Sequence, residues 1–285
     1  MTWEELAAAS RFLLYLCTAI TLGLLFCNWL AQQHRLSAPL GRSGQALLFG
    51  LGAFSVLSGF LLQVGTMAMA GFGGMFDWEL MQFLWPDAAG KALRFQLPAF
   101  GLLLLSLLLG KVKYLSALLQ GLALLMLLLG FLQGGHLLRF GLLGQLLLLI
   151  HLLAVGLWAG SLPLLWRLCR HSPTVQLHAL LHQFGQIMIG VLLLLLLSGA
   201  SMLWLLLSEP GQLWTTSYGR LLLVKMLLVA ALMSLGALNK LKLVPALQQT
   251  PDPKRLQTAI AAEMLLAAVI LAITTVVTVV IGWSG

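Results

Sequence analysis

Apolar runs recur along this chain at the length a bilayer demands. A lipid hydrocarbon core is about 30 Å thick, and a helix needs about 20 apolar residues to cross it. The runs predict eight helical spans, at 5–32, 44–68, 93–110, 113–133, 142–168, 179–207, 218–246 and 256–282. Stretches such as Leu192–Leu197 are continuously apolar, whereas the strands of an outer-membrane barrel alternate in polarity. Backbone N–H and C=O groups must find partners within lipid, and a helix satisfies them inside one segment. The predicted fold is therefore all-α: a polytopic integral membrane protein, an eight-transmembrane-helix bundle.

The spans fall into two sets of four. Residues 1–133 carry spans 1–4, and residues 134–285 carry spans 5–8, with the break at Gly134-Gly135. No internal repeat is visible. The longest connection, 69–92, is rich in glycine, aromatics and methionine. Its Trp78 and Trp85 suit a re-entrant or interfacial segment. The other connections are short, so neighbouring helices are expected to run antiparallel. Gly156 and Gly160 form a GxxxG in span 5 that permits close backbone approach, with ordinary bundle packing as the plain reading.

Composition agrees. Sixty per cent of residues are hydrophobic and 8% charged, which excludes a soluble domain. A net charge of +8 would point to nucleic acid in a soluble protein, but here the loops account for it. Connections 1–2, 3–4, 5–6 and 7–8 hold Arg35, Arg42, Lys111, Lys113, Arg167, Arg170, Lys240, Lys242, Lys254 and Arg255. The others hold only Lys91, Arg94, Arg139 and Arg220. The positive-inside rule places the first group in the cytoplasm and both termini outside. Glu4, Glu5, Asp77, Glu79, Asp87 and Glu209 then fall on the outer side. The first run, Leu6–Leu30, reads as a span and not as a cleavable signal peptide, being too long and lacking a basic leader. Cys17, Cys27 and Cys169 show no disulfide-like spacing and read as buried small hydrophobes.

Three groups of residues could carry chemistry. The first is histidine. His136 precedes span 5 on the outer side, and His151 lies about 14 Å into that span. Trp158 is seven residues on, hence on the same helical face. A buried imidazole is expensive in lipid, which makes His151 a functional candidate beside a plain structural role. Neutral imidazole is a ligand for copper, zinc or haem iron. The second group is thioether sulfur: Met67, Met69, Met75 and Met81 crowd into one outer stretch. Soft sulfur selects Cu(I) and needs no deprotonation, while gap-filling hydrophobes are the alternative reading. The third is charge inside spans. Glu263 sits about 12 Å into span 8 from the cytoplasmic side, and Lys225 and Arg11 about 10 Å in from the outer side. Each is expected to pair or to face a polar cavity. His151 and Glu263 differ in depth by about 5 Å, so they can meet if spans 5 and 8 adjoin. At the cytoplasmic end, His178 and His182 have i,i+4 spacing and could chelate a metal ion, a solvated helix start being the plainer reading. No Walker A loop, G-x-S-x-G, H-E-x-x-H or dinucleotide fingerprint is present, and no enzymatic activity is expected.

Gly135-His136, followed by His151-Leu-Leu-Ala and Trp158-x-Gly160-x-Leu162, resembles the bacterial copper resistance protein D (CopD/PcoD) family. Ser198-Gly199-Ala200, Tyr218-Gly219-Arg220 with Lys225, Leu238-Asn239 with Pro245 and Leu247, and Glu263 extend the resemblance. It covers about 134–282, and the first four spans only by topology. It implies an eight-span inner-membrane protein that handles copper ions, with copper uptake and homeostasis as its role. It implies a periplasmic CopC-type copper-binding protein as partner. His136 and His151 would be copper ligands. Joined to the outer methionines, this gives a copper-binding permease as the leading reading: copper is captured outside by the Met67–Met81 loop and His136, then passed to His151. Trp158, Tyr218, Lys225, Asn239 and Glu263 would line or gate the path. One departure stands out. Family members commonly carry an acidic residue shortly before the span-5 histidine, where this chain has Leu146–Ile150. No CopC-like domain is expected on this chain. Two other readings stay open: a membrane b-type cytochrome with paired axial histidines, and an assembly factor with no transport of its own.

Overall fold

The computed structural model describes residues 2–206, 211–249 and 252–278. Eight helices among them are long and apolar enough to cross a membrane: Trp3–Gln33, Arg42–Ala68, Ala88–Leu108, Lys113–Phe131, Leu137–His171, Thr174–Leu206, Gly219–Gln249 and Lys254–Val276. They are spans 1–8 below. No strand occurs among the described residues. The chain is thus an all-α, multi-pass membrane protein. Glu209 and the predicted end of span 8 past 278 lie outside the described residues.

Spans 3 and 6 each begin five residues earlier than the apolar run predicts, and spans 5 and 7 are not continuous α-helix. Span 3 begins at Ala88, not 93, so Lys91 and Arg94 lie in its first two turns. The apolar run starts late, but the helix starts where Asp87 turns the chain in extended geometry. Arg94 reaches back over the Trp85 ring, 5.3 Å from its centroid, as a long cationic side chain does at a helix end. Span 5 is two helices, Gly141–Trp158 and Leu162–His171, joined by one 3-10 turn at Ala159–Ser161. Pro163 is the cause: it has no N–H to donate, and its ring crowds the carbonyl four residues back. Span 7 carries a π turn at Asn239–Leu243, directly before Pro245. Proline again denies the α-helical bond, and the turn widens to absorb it.

The chain packs as two compact units. The first comprises Arg42–Leu149 with residues 2–18 and 275–278. Within it Gly52 receives the Phe100 ring and Gly130 the Gln96 side chain, joining spans 2 and 4 to span 3. Ser10 Oγ donates to the Ser55 carbonyl at 2.8 Å, tying spans 1 and 2. The 69–92 connection folds as a 3-10 turn, Gly71–Phe76, and a short helix, Trp78–Leu84, capped by Asp77 accepting from Leu80 N–H at 3.1 Å. Phe72, Phe76, Trp78 and Trp85 are exposed on it. Amphipathic aromatics of this sort settle at a membrane interface.

The second unit comprises Ala19–Gly41 and Ile150–Thr274. Spans 1 and 5 cross here almost backbone to backbone. Gly160 lies against the Ala19 carbonyl, Gly23 against the Gly160 carbonyl, and Gly156 against Leu22. The break before Pro163 falls at this crossing. Cys17, Cys27 and Cys169 are buried.

Candidate copper site and polar interior

In the second unit the apolar interior holds a sparse set of polar groups. His151 projects from span 5, part-buried, toward span 6. Its Nδ1 lies 3.4 Å from Ser198 Oγ. Ser198 donates onward to the Leu195 carbonyl at 3.1 Å, which leaves its oxygen able to accept from the ring. In the tautomer that carries the proton on Nδ1, Nε2 keeps the lone pair. This is the arrangement a metal-binding imidazole uses, one nitrogen anchored and the other presented. Gly199 flanks the ring; a Cβ there would meet it at 3.5–3.6 Å, an ordinary contact. Lys225 on span 7 is within electrostatic reach of the ring.

Further along the same face of span 5, Trp158 is buried. Its ring and the Glu263 carboxyl both border Gly236 of span 7, at 3.7 and 3.6 Å from where a Cβ would stand. Spans 5, 7 and 8 therefore adjoin. Glu263 does not reach His151, however. It accepts from Asn239 Nδ2 at 2.8 Å, both residues being buried. The seven-residue step from His151 to Trp158 sets the two polar groups roughly two helical turns apart. Asn239 opens the π turn of span 7.

Lys240, the next residue, leaves the interior: its Nζ donates to the Gly185 carbonyl of span 6 at 2.7 Å. At the same end His34 Nε2 meets Gln183 Oε1 at 2.6 Å, and Gln183 donates to Gln33 at 2.8 Å. The His178 and His182 rings stack 6.2 Å apart on one helix. Among the described residues no three His, Cys, Asp or Glu side chains gather closely enough to hold a metal ion. Arg11 is exposed and lies over Tyr15, 5.9 Å from its centroid.

In the first unit Met67 ends span 2, exposed, and Met69 follows at 90% exposure with a positive φ of 49°. Met69 borders an open groove of about 410 Å³ with Thr2, Trp3, Glu4 and Thr66. Met75 packs toward Gly65 beside Trp3, and Met81 is part-buried on the short helix. His136 opens a 3-10 turn, His136–Phe140. The side chains of His136 and Tyr218 lie outside the described residues. Ser198, Gly23 and Gly199 are the residues that sequence reasoning left without a role. The signal for Ser198 was present: a hydroxyl directly after the six-leucine run Leu192–Leu197.

These features define the class: a polytopic helical membrane protein with isolated polar groups in its second bundle. Residues 178–277, most of spans 6 to 8, match the family model of copper resistance protein D. The resemblance read from the sequence is borne out over that stretch. No curated protein and no solved structure matches the chain.

Proposed function

We propose that this protein relays copper ions across the bacterial inner membrane, without enzymatic chemistry. The observation that carries the reading is His151, which lies before the stretch matched to the copper resistance family but whose Nδ1 is 3.4 Å from Ser198 inside it. Copper is the cargo. The methionines at 67, 69, 75 and 81, with His136, are the proposed capture groups, since thioether and imidazole suit it. His151 is the proposed relay ligand inside the bundle. A conducting site must release as well as bind, and a single imidazole anchored on a serine is a weak enough holder to do both. Trp158, Tyr218, Asn239 and Glu263 are proposed to line the path. A CopC-type periplasmic protein is the proposed donor.

Reconstituted protein is expected to move copper into liposomes above the protein-free rate. A flux no different from empty liposomes would return the chain to an assembly role. The visible spectrum of the same preparation is expected to lack a Soret band; its presence would favour the cytochrome reading.

Orientation is testable separately. With both termini proposed periplasmic, single cysteines placed near residues 112 and 250 should be labelled only from the cytoplasmic side. Labelling from outside at either position would reverse the map.

The methionines give a third expectation. Leu at 67, 69, 75 and 81 together keeps hydrophobic volume and removes sulfur. Copper affinity measured by titration should fall about tenfold or more, as loss of metal-site groups commonly costs. Expression and melting behaviour should stay near wild type. Unchanged affinity would assign these side chains to interfacial packing.

A further inference from the structure

Glu263 is 3% exposed and sits in a membrane-spanning helix. From span 7 it meets Asn239 and the Gly236 backbone, and from span 5 the Trp158 ring borders the same spot. No charged group among the described residues acts on it. Lys225 lies fourteen residues from Asn239 on span 7, roughly 21 Å along the helix. Lys240 is turned to Gly185. Lys254 and Arg255 start Glu263's own helix, more than about 10 Å away. An ionised carboxylate held here by one neutral amide donor is strongly disfavoured, because burial removes its hydration and no opposite charge replaces it.

The amide shows a second feature. Asn239 Nδ2 donates to Glu263, but Asn239 Oδ1 is buried with no hydrogen-bond partner. A buried carbonyl oxygen without a donor is destabilising, because it has given up its hydrogen bonds to water and gained none. A carboxylate cannot supply the missing donor, because it only accepts. A carboxylic acid can. Its O–H gives to Oδ1 while its other oxygen accepts from Nδ2, closing a cyclic acid–amide pair. One added proton thus removes both the buried charge and the orphan acceptor.

We propose that Glu263 and Asn239 form a proton-binding site in the core of the second unit, occupied at neutral pH. Release breaks the Glu263 O–H bond, leaves carboxylate, and passes the proton to water; uptake reverses this. The site uses hard oxygen and neutral amide groups, so it is chemically distinct from the soft ligands proposed for copper. Its role as the proton partner of copper movement rests on the relay reading above; the presence of the proton does not.

The test is infrared spectroscopy of the whole protein in lipid nanodiscs, at neutral pH, without copper. Wild type should show a protonated-carboxyl carbonyl band that shifts in D₂O. Glu263→Gln should abolish it, and Asn239→Leu, which removes the amide partner, should move its frequency. Wild-type and Glu263→Gln spectra that coincide in this region would overturn the proposal. So would a band that disappears on adding sodium or potassium, because the site would then hold an alkali cation. Should Glu263→Gln fail to fold, the frequency shift in Asn239→Leu decides: no shift refutes the pair. Copper flux is measured apart from the spectrum, so loss of the relay reading leaves this result standing.

Discussion

Replacing His151 with alanine should bring copper flux down to the level of protein-free liposomes while the bundle still assembles. The ring is the imidazole whose Nδ1 is fixed, here by Ser198 at 3.4 Å, leaving Nε2 to meet an ion. Removing a ligand takes away the site. Removing its orienting partner only loosens it, so Ser198→Ala should weaken copper binding about 10- to 100-fold and keep partial flux. The structural alternative makes the opposite forecast. If the ring only fills space against Gly199 and Ser198, His151→Ala lowers the melting temperature and leaves flux per folded molecule intact. Both quantities are read on one preparation, and intact flux would end the case for His151 as a relay residue.

The largest stability effect is expected at Gly160. An added methyl there drives into the Ala19 carbonyl, and backbone cannot swing aside as a side-chain tip can. Overpacking of well-filled sites costs about 1–3 kcal/mol, and a backbone neighbour puts Gly160→Ala at the upper end. Gly199→Ala is the matched control, since its methyl meets the His151 ring at 3.5–3.6 Å and should be nearly neutral. Thermal unfolding in detergent compares the two. Equal melting temperatures would mean that spans 1 and 5 do not cross this closely in the membrane.

Much of the fold was legible in the sequence. Span number follows from run length, because the bilayer fixes how many apolar residues a helix needs. Pro163 and Pro245 were visible too, and each lies beside a local departure from α geometry. The departures themselves went unread: an apolar run such as 142–168 shows no interruption where a proline merely changes the hydrogen-bond register. For the same reason the start of span 3 was placed late, since hydropathy sees Lys91 and Arg94 while the backbone sees a helix.

The candidate site was legible as residues and illegible as an arrangement. His151, Trp158, Asn239 and Glu263 stand out because polar or bulky groups are rare in such runs and burying them is costly. Their depths allowed His151 and Glu263 to meet, yet His151 turns to Ser198 and Glu263 to Asn239. Depth is one coordinate; the facing direction of each helix is another, and hydropathy does not encode it. Lipid tails are as apolar as leucine, so the leucine faces leave open which helices meet. The sequence by itself determined eight helical spans, their lengths, their charge asymmetry and the copper-resistance resemblance of the second half. Only the tertiary structure decided the partners: the Gly23–Gly160 crossing, the anchor on His151, and the inward Asn239 amide. Small residues and buried polar pairs settle those choices, because they alone make one face of an apolar helix differ in energy from another.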